Sequence, residues 1–360
     1  VELWSEVLEL AETNIGIDSN FFELGGHSLK ATVMVSKIHR LFNIRVPLVE
    51  IFKAPTVRNL AEYIKNTDKE SILEEDDNMV LLRKKSKKAG HLFFVHDGSG
   101  EVEGYVDFCQ HLNVDFNYWG IRADRVKNYT PRNLTIEEIA SKYIERIKRF
   151  QPKGSYFIVG WSLGGTIAFE MVRQLEQKGE EIGFFALIDS PEPQGCSKDD
   201  IPIFTLETEK SFIKKYLSGK EIEDKLENVT DINSIWPFIV DYLRSKHFDV
   251  EIIKKVVVEY EAHVVPDYIH LSIDQLIEYL NAGRTFHNAR TYYTPAGKIH
   301  TIVHYFSARQ SRGIIKESWN DYCNKPIRFY EISGDHYSIF KRPKVIEFSD
   351  FFGKIINGQV

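Results

Sequence analysis

The chain has 360 residues, too many for one ordinary domain and suited to two. Its 43% hydrophobic and 27% charged residues are those of a soluble globular protein, and a formal charge of −6 argues against broad nucleic-acid affinity. Three scattered cysteines, Cys109, Cys196 and Cys323, offer neither a disulfide framework nor metal-ligand spacing, so no metal site is expected and a reducing cytoplasm is. No apolar run approaches the ~18 residues of a membrane span. The first residue is Val1 and "ELWSEVLEL" already lies inside a helical pattern, so we expect a piece of a longer polypeptide.

Residues 1–65 read as all-helical. Leu3, Val7 and Leu10 with Trp4, Leu8 and Ala11 form an apolar stripe on a first helix. In "NFFELGGHSLKATVMVSKI" a Gly-Gly turn leads to Ser28, which reads as the N-cap of a helix carrying Leu29, Val33 and Ile38. Thr56 caps a later helix with Val57, Leu60, Ala61 and Ile64 on one face. A thin core of this kind fits a small helical bundle over residues 1–68. Residues 69–90 read as a linker, because an acidic cluster (Glu74, Glu75, Asp76, Asp77) precedes a basic one (Arg83, Lys84, Lys85, Lys87, Lys88). About 20 flexible residues would span roughly 25 Å, enough for one domain to visit another.

From 91 to 360 strands alternate with helices. Strands are expected at 91–96, 116–121, 155–160, 183–189, 298–308 and 327–333. Amphipathic helices separate them, one opened by a capping box, Thr135 and Glu138, and another closed by Gly179. Buried apolar strands spaced by helices imply an α/β domain with a mostly parallel sheet and helices on both faces. The alternation stops over about 195–292, where several helical stretches suggest a lid over the sheet edge. Trp236, Phe238 and Tyr260 there are candidates for lining a pocket, although such a stripe is more often core.

The strongest chemical signal is "IVGWSLGGTIAF". Gly160, Ser162 and Gly164 make G-x-S-x-G between a strand and a helix, a turn too sharp for side chains two residues either side of the nucleophile. The acid and base should follow in the order Asp, His. Asp189 ends the very next strand, and His336 lies in the loop after the last one, at the same edge. His96, ending the first strand of this region, is the runner-up base, and Asp335 is too close to His336 to orient it. The oxyanion hole should use the N–H of Leu163 and one from "HDGSG", Gly98 or Asp97.

These residues carry a resemblance. "GWSLGG", the Asp at the end of the next strand and "GDHY" make residues 91–360 similar to the type I thioesterase domain that ends nonribosomal peptide synthetases, an α/β-hydrolase. In place of "HDGSG" many relatives carry His-Pro and a small residue, and Gly98 is the position that aligns as second oxyanion donor. Asp18, Phe21, Phe22, Leu24, Gly25, Gly26, His27, Ser28 and Leu29 match D-x-x-F-F-x-L-G-G-x-S-L of the peptidyl carrier domain of the same synthetases. The resemblance implies that Ser28 bears 4′-phosphopantetheine, whose thiol holds the growing chain as a thioester.

The implied partners are a phosphopantetheinyl transferase, an upstream condensation domain of the same synthetase and a peptidyl thioester, with neither nucleic acid nor membrane. Release through an acyl-Ser162 follows, by hydrolysis, macrocyclisation or transfer to a second chain. A stand-alone serine esterase with a regulatory helical domain, and a scaffold whose hydrolase fold has lost catalysis, are the competing readings.

Overall fold

The computed structural model describes the chain except residues 43, 45, 67–77, 87, 132, 194–203, 218, 261–271, 312, 313, 315 and 360. The N-terminal domain consists of α1 (Glu2–Leu8), α2 (Ser28–Phe42), α3 (Leu48–Lys53) and α4 (Val57–Lys65). Its paired phenylalanines explain the glycines that follow them. Phe21 is fully buried, edge-on to Trp4 at 5.2 Å, and a Cβ on Gly26 would sit 2.4 Å from the Phe21 ring. Gly25 has φ +88°, which side chains disfavour. The chain can then turn straight into α2, whose first helical residue is Ser28 itself, one position later than an N-cap. Thr56 caps α4 as expected, its hydroxyl accepting from the Asn59 N–H at 3.2 Å.

One expectation is corrected. Within the stretch assigned to a linker, residues Met79–Arg83 form β1, antiparallel to β3 (Phe116–Ile121) at the sheet edge. The flanking charge blocks hid a buried apolar run, "MVLL", that is long enough for an edge strand. The acidic cluster itself falls outside the described residues. Helix α3 packs against β1 and α5 (Val106–His111), so the N-terminal domain rests on that edge of the sheet.

The sheet has seven strands in the order β1-β3-β2-β4-β5-β6-β7, all parallel except β1. The remaining strands are β2 (Gly90–Val95), β4 (Tyr156–Trp161), β5 (Ile182–Ile188), β6 (Val303–Ala308) and β7 (Arg328–Ile332). Alternation along each strand feeds two cores. Phe94 and Phe306 face Phe108 of α5 and Phe348 and Phe352 of α13 (Lys344–Ile356). Phe93 and Phe185 face the other way, toward α6 (Ile136–Phe150) and α7 (Leu163–Gln177). Full burial of a phenylalanine of this kind contributes about 1.5–3 kcal/mol. The predicted capping box at Thr135 and Glu138 starts α6. The run expected as a strand from 298 begins only at Val303, so His300 lies outside it and is exposed, whereas His304 packs between Phe184 and Tyr330.

Among the described residues, five helices lie between β5 and β6: α8 (Leu206–Tyr216), α9 (Lys220–Glu227), α10 (Ile235–Ser245), α11 (Val250–Tyr260) and α12 (Ile273–Thr291). They have a core of their own, with Trp236 at its centre. Its indole N–H donates to Glu209 at 2.8 Å, so Trp236 packs the core of the lid. Phe238 stacks on Tyr242, and the Tyr260 side chain falls outside the described set. Glu209 also pairs with buried Arg284, whose guanidinium lies 4.7 Å from the Tyr129 ring centre. Asn281 donates to the Lys127 carbonyl at 2.6 Å. These contacts tie the lid to the β3–α6 connection. Among the described residues, no helix is long and apolar enough to cross a membrane.

Candidate active site

Parallel strands deliver their carboxyl ends to one edge, and four segments meet there. Ser162 follows β4 with φ 55° and ψ −130°, a conformation that holds its side chain clear of both strand and helix. The glycines are obligatory for a reason visible in the contacts. A Cβ on Gly160 would lie 2.2 Å from the Gly164 carbonyl oxygen, and one on Gly164 would lie 2.1 Å from that of His96. The elbow is thus closed on itself and pressed against the end of β2.

His336 Nε2 is 2.9 Å from Ser162 Oγ, and His336 Nδ1 is 2.8 Å from Asp189 Oδ2. With the proton on Nδ1, the imidazole donates to Asp189 and accepts from the serine hydroxyl. Asp189 is 1% exposed and the imidazole 21%, so the acid is sealed and the base reaches the site opening. Three of the residues expected from the sequence therefore stand in one hydrogen-bonded relay. The other two candidates do not join it. His96 is fully buried, its ring nitrogens 2.6 Å from Tyr143 Oη and from the Asp97 carbonyl, and burial pushes its pKa down to about 4. Asp335 accepts from the N–H groups of Ser338 and Tyr337 and from the Ser338 hydroxyl, which hold it near 2.

Partners that sequence reasoning missed hold the relay in place. Asp189 Oδ1 accepts the Ala308 N–H at 3.0 Å, and its Oδ2 accepts the Ser311 hydroxyl. Tyr105 donates to the Val95 carbonyl at 2.9 Å and accepts the Trp161 N–H at 2.8 Å, pinning the residue before the nucleophile to β2. Gly104 lets that segment approach, since a Cβ there would be 2.7 Å from the Trp161 ring. Trp161 in turn lies against His336, ring centres 5.5 Å apart. No sequence pattern announces these contacts, because each joins segments distant in the chain.

Leu163 opens α7, so its N–H sits at the helix N-terminus beside Ser162. Gly98 lies in the turn that begins at the His96 carbonyl packed on Gly164, and Asp97 braces that turn by accepting the Ser99 N–H at 2.8 Å and the Ser99 hydroxyl. Among the described residues, no cluster of His, Cys, Asp or Glu could hold a metal ion.

The thioesterase domain family matches residues 90–352. The chain belongs to that family. The phosphopantetheine attachment site family matches residues 1–64, on the N-terminal side of the thioesterase match. A dimodular nonribosomal peptide synthase of Bacillus subtilis (strain 168) is 34% identical over 52% of this chain and 8% of its own length. The inactive atromentin synthetase invA3 of Paxillus involutus is 26% identical over 97% of this chain and 36% of its own. In structure the chain is similar to holo-AB3403, a four-domain nonribosomal peptide synthetase bound to AMP and glycine. The TM-score is 0.57 at 22% identity, covering 98% of this chain and 25% of that one. The chain thus spans 36% or less of the length of these relatives.

The carrier domain calls for covalently attached 4′-phosphopantetheine, and the segment around Ser28 fits it. Ser28 opens a helix of 15 residues that has no acidic residue in its first turn, so the N-terminal N–H groups meet a phosphodiester without repulsion. The described part of the thioesterase holds the expected α/β-hydrolase sheet, with helices on both faces and a helical insertion between β5 and β6.

Proposed function

We propose that this chain is the terminal carrier–thioesterase pair of a nonribosomal peptide synthetase and releases the finished chain through an acyl-Ser162 ester. The observation that carries the reading is the Ser162–His336–Asp189 relay at the sheet edge of a chain whose first 64 residues match a phosphopantetheine attachment domain. Ser28 is the attachment residue, and the arm supplies a flexible thiol that presents the acyl group as a thioester.

His336 Nε2 takes the proton from Ser162 Oγ as that oxygen attacks the thioester carbonyl. The N–H groups of Leu163 and Gly98 receive the negative charge on the carbonyl oxygen. The carbon–sulfur bond breaks, and His336 returns the proton to the departing thiol. Throughout, Asp189 keeps the imidazole in the Nδ1–H tautomer and balances its transient positive charge, held there by Ala308 and Ser311. His336 then deprotonates the second nucleophile, which attacks the acyl-Ser162 ester and returns the oxygen to the enzyme. Water yields a free acid, and an amine or hydroxyl within the acyl chain yields a macrocycle.

The reading makes a phosphopantetheinyl transferase and an upstream condensation domain the partners. The buried thiols Cys109 and Cys323 suit a reducing cytoplasm. Incubation with coenzyme A and a broad transferase tests the assignment of Ser28. The intact mass should rise by one phosphopantetheine in the wild type and not in Ser28→Ala. An unchanged wild-type mass would overturn the carrier role and leave a serine esterase.

A further inference from the structure

The segment from Asp97 to Tyr105 makes contacts that reach well beyond the catalytic relay. Tyr105 pins the nucleophile elbow. Glu101 forms a bidentate pair with Arg122 at 2.6 and 2.9 Å and accepts the hydroxyl of Tyr279, on lid helix α12, at 3.2 Å. Between them, Glu103 Oε1 accepts the hydroxyl of Thr32 at 2.7 Å. Thr32 belongs to α2, one helical turn after Ser28, and is only 1% exposed. The carrier and the thioesterase therefore meet through a part-buried polar contact on the segment that also carries the oxyanion turn and the elbow clamp.

Of the two carboxyl oxygens of Glu103, Oε1 holds Thr32 and Oε2 is left over. Its Oε2 is closed off from solvent and has no hydrogen-bond partner among the described residues, although the residue as a whole is only part-buried. An ionised carboxylate with one oxygen sealed and unpaired is costly, whereas a proton on that oxygen removes the charge. Four neighbours decide the balance. Glu101 from the same segment repels a negative charge on Glu103, Arg122 at the end of β3 attracts it but is already committed to Glu101, Tyr279 from α12 brings a neutral phenol, and α2 brings Thr32. Burial pushes the Glu103 carboxyl up to about 7.

We infer that Glu103 is a proton-dependent docking site for the chain's own carrier domain, neutral while Thr32 is seated on it and ionised once α2 lifts away. The inference rests on the carrier–thioesterase reading above. Its sign follows from linkage. The docked state keeps a proton that an exposed glutamate sheds above about 4.5, so docking weakens as pH rises from about 4.5 to about 7 and levels off beyond. Between pH 6 and pH 8 the ratio of docked to undocked carrier should fall by up to about tenfold. Acylated carriers would then dwell at the site longer in mildly acid solution, and spent carriers would leave more readily above neutrality.

The test uses the full chain without any arm attached, so its result does not depend on whether Ser28 is modified or Ser162 attacks. Small-angle scattering at pH 6 and pH 8 should show the wild type shifting from compact toward extended. Glu103→Gln, a neutral isostere, should be equally compact at both, and Thr32→Val should already be more extended at pH 6. In a second measurement on loaded chains, acyl release is divided by turnover of a soluble acyl thioester in the same sample, which cancels the pH dependence of the shared chemical step. That ratio should fall up to about tenfold from pH 6 to pH 8 in the wild type and stay level in Glu103→Gln. A wild type whose shape and ratio ignore pH would overturn the inference, as would a Glu103→Gln chain that follows the wild-type pH response.

Discussion

Replacing Asp189 by Asn exposes how completely the surroundings dictate the tautomer of His336. The Ala308 backbone N–H points at Oδ1 and cannot rotate away, so the new amide must place its carbonyl oxygen there. The amide nitrogen then occupies the Oδ2 position, 2.8 Å from His336 Nδ1, and presents a hydrogen. Nδ1 must become the acceptor, the ring proton moves to Nε2, and the lone pair that should receive the Ser162 proton is gone. The side chains are nearly isosteric, so the fold should persist. On the template of serine hydrolases the wrong tautomer costs on the order of 10⁴ in kcat, which corresponds to about 5.5 kcal/mol of activation free energy. Turnover of a soluble acyl thioester, with unfolding midpoints measured in parallel, is the assay. Asp335→Asn is the companion, and it should stay within about threefold because that carboxylate only caps a turn. An Asp189→Asn rate within about tenfold of wild type would place the orienting acid elsewhere.

Other outcomes follow from the same contacts. Ser311→Ala removes one of two donors that hold Asp189, and should lower kcat roughly tenfold with little change in KM, read from steady-state kinetics. Tyr105→Phe leaves the Trp161 N–H and the Val95 carbonyl without their buried partner, and should cost about 1–3 kcal/mol in a urea unfolding curve. Burial holds His304 at about 4 in the folded state, below its ordinary 6.5, so it should withdraw stability as pH falls from about 6.5 to about 4. His304→Phe keeps the stack between Phe184 and Tyr330 and should therefore lose less stability than wild type between pH 7 and pH 5, measured by denaturant midpoints.

The relay was legible in the sequence because its constraints are local. Gly160 and Gly164 are forced by the turn around Ser162, while Asp189 and His336 sit where strands of a parallel sheet end. The N-terminal motif was legible for a similar reason, with Gly26 answering the Phe21 ring five residues earlier. What the sequence concealed is long-range. Ser311 and Tyr105 reach their partners across 122 and 56 residues, through single hydrogen bonds that impose no periodicity. Strand β1 was hidden by composition, since charge on either side of "MVLL" outweighed four apolar residues in any window wide enough to read as a linker. Trp236 shows the reverse case, where an aromatic in a lid suggests a binding surface but its N–H finds a buried carboxylate and the ring fills a core.

The division of labour between two serines is tested most directly by intact-protein mass spectrometry of Ser162→Ala whose carrier has been loaded with an acyl-pantetheine. Ser28 should still take the arm, and with the attacking oxygen gone no other group in the elbow can accept the acyl chain. The variant should hold the full acyl-pantetheine mass over a time in which identically loaded wild type returns to the free thiol. Discharge from Ser162→Ala at the wild-type rate would contradict release through an acyl-Ser162 ester.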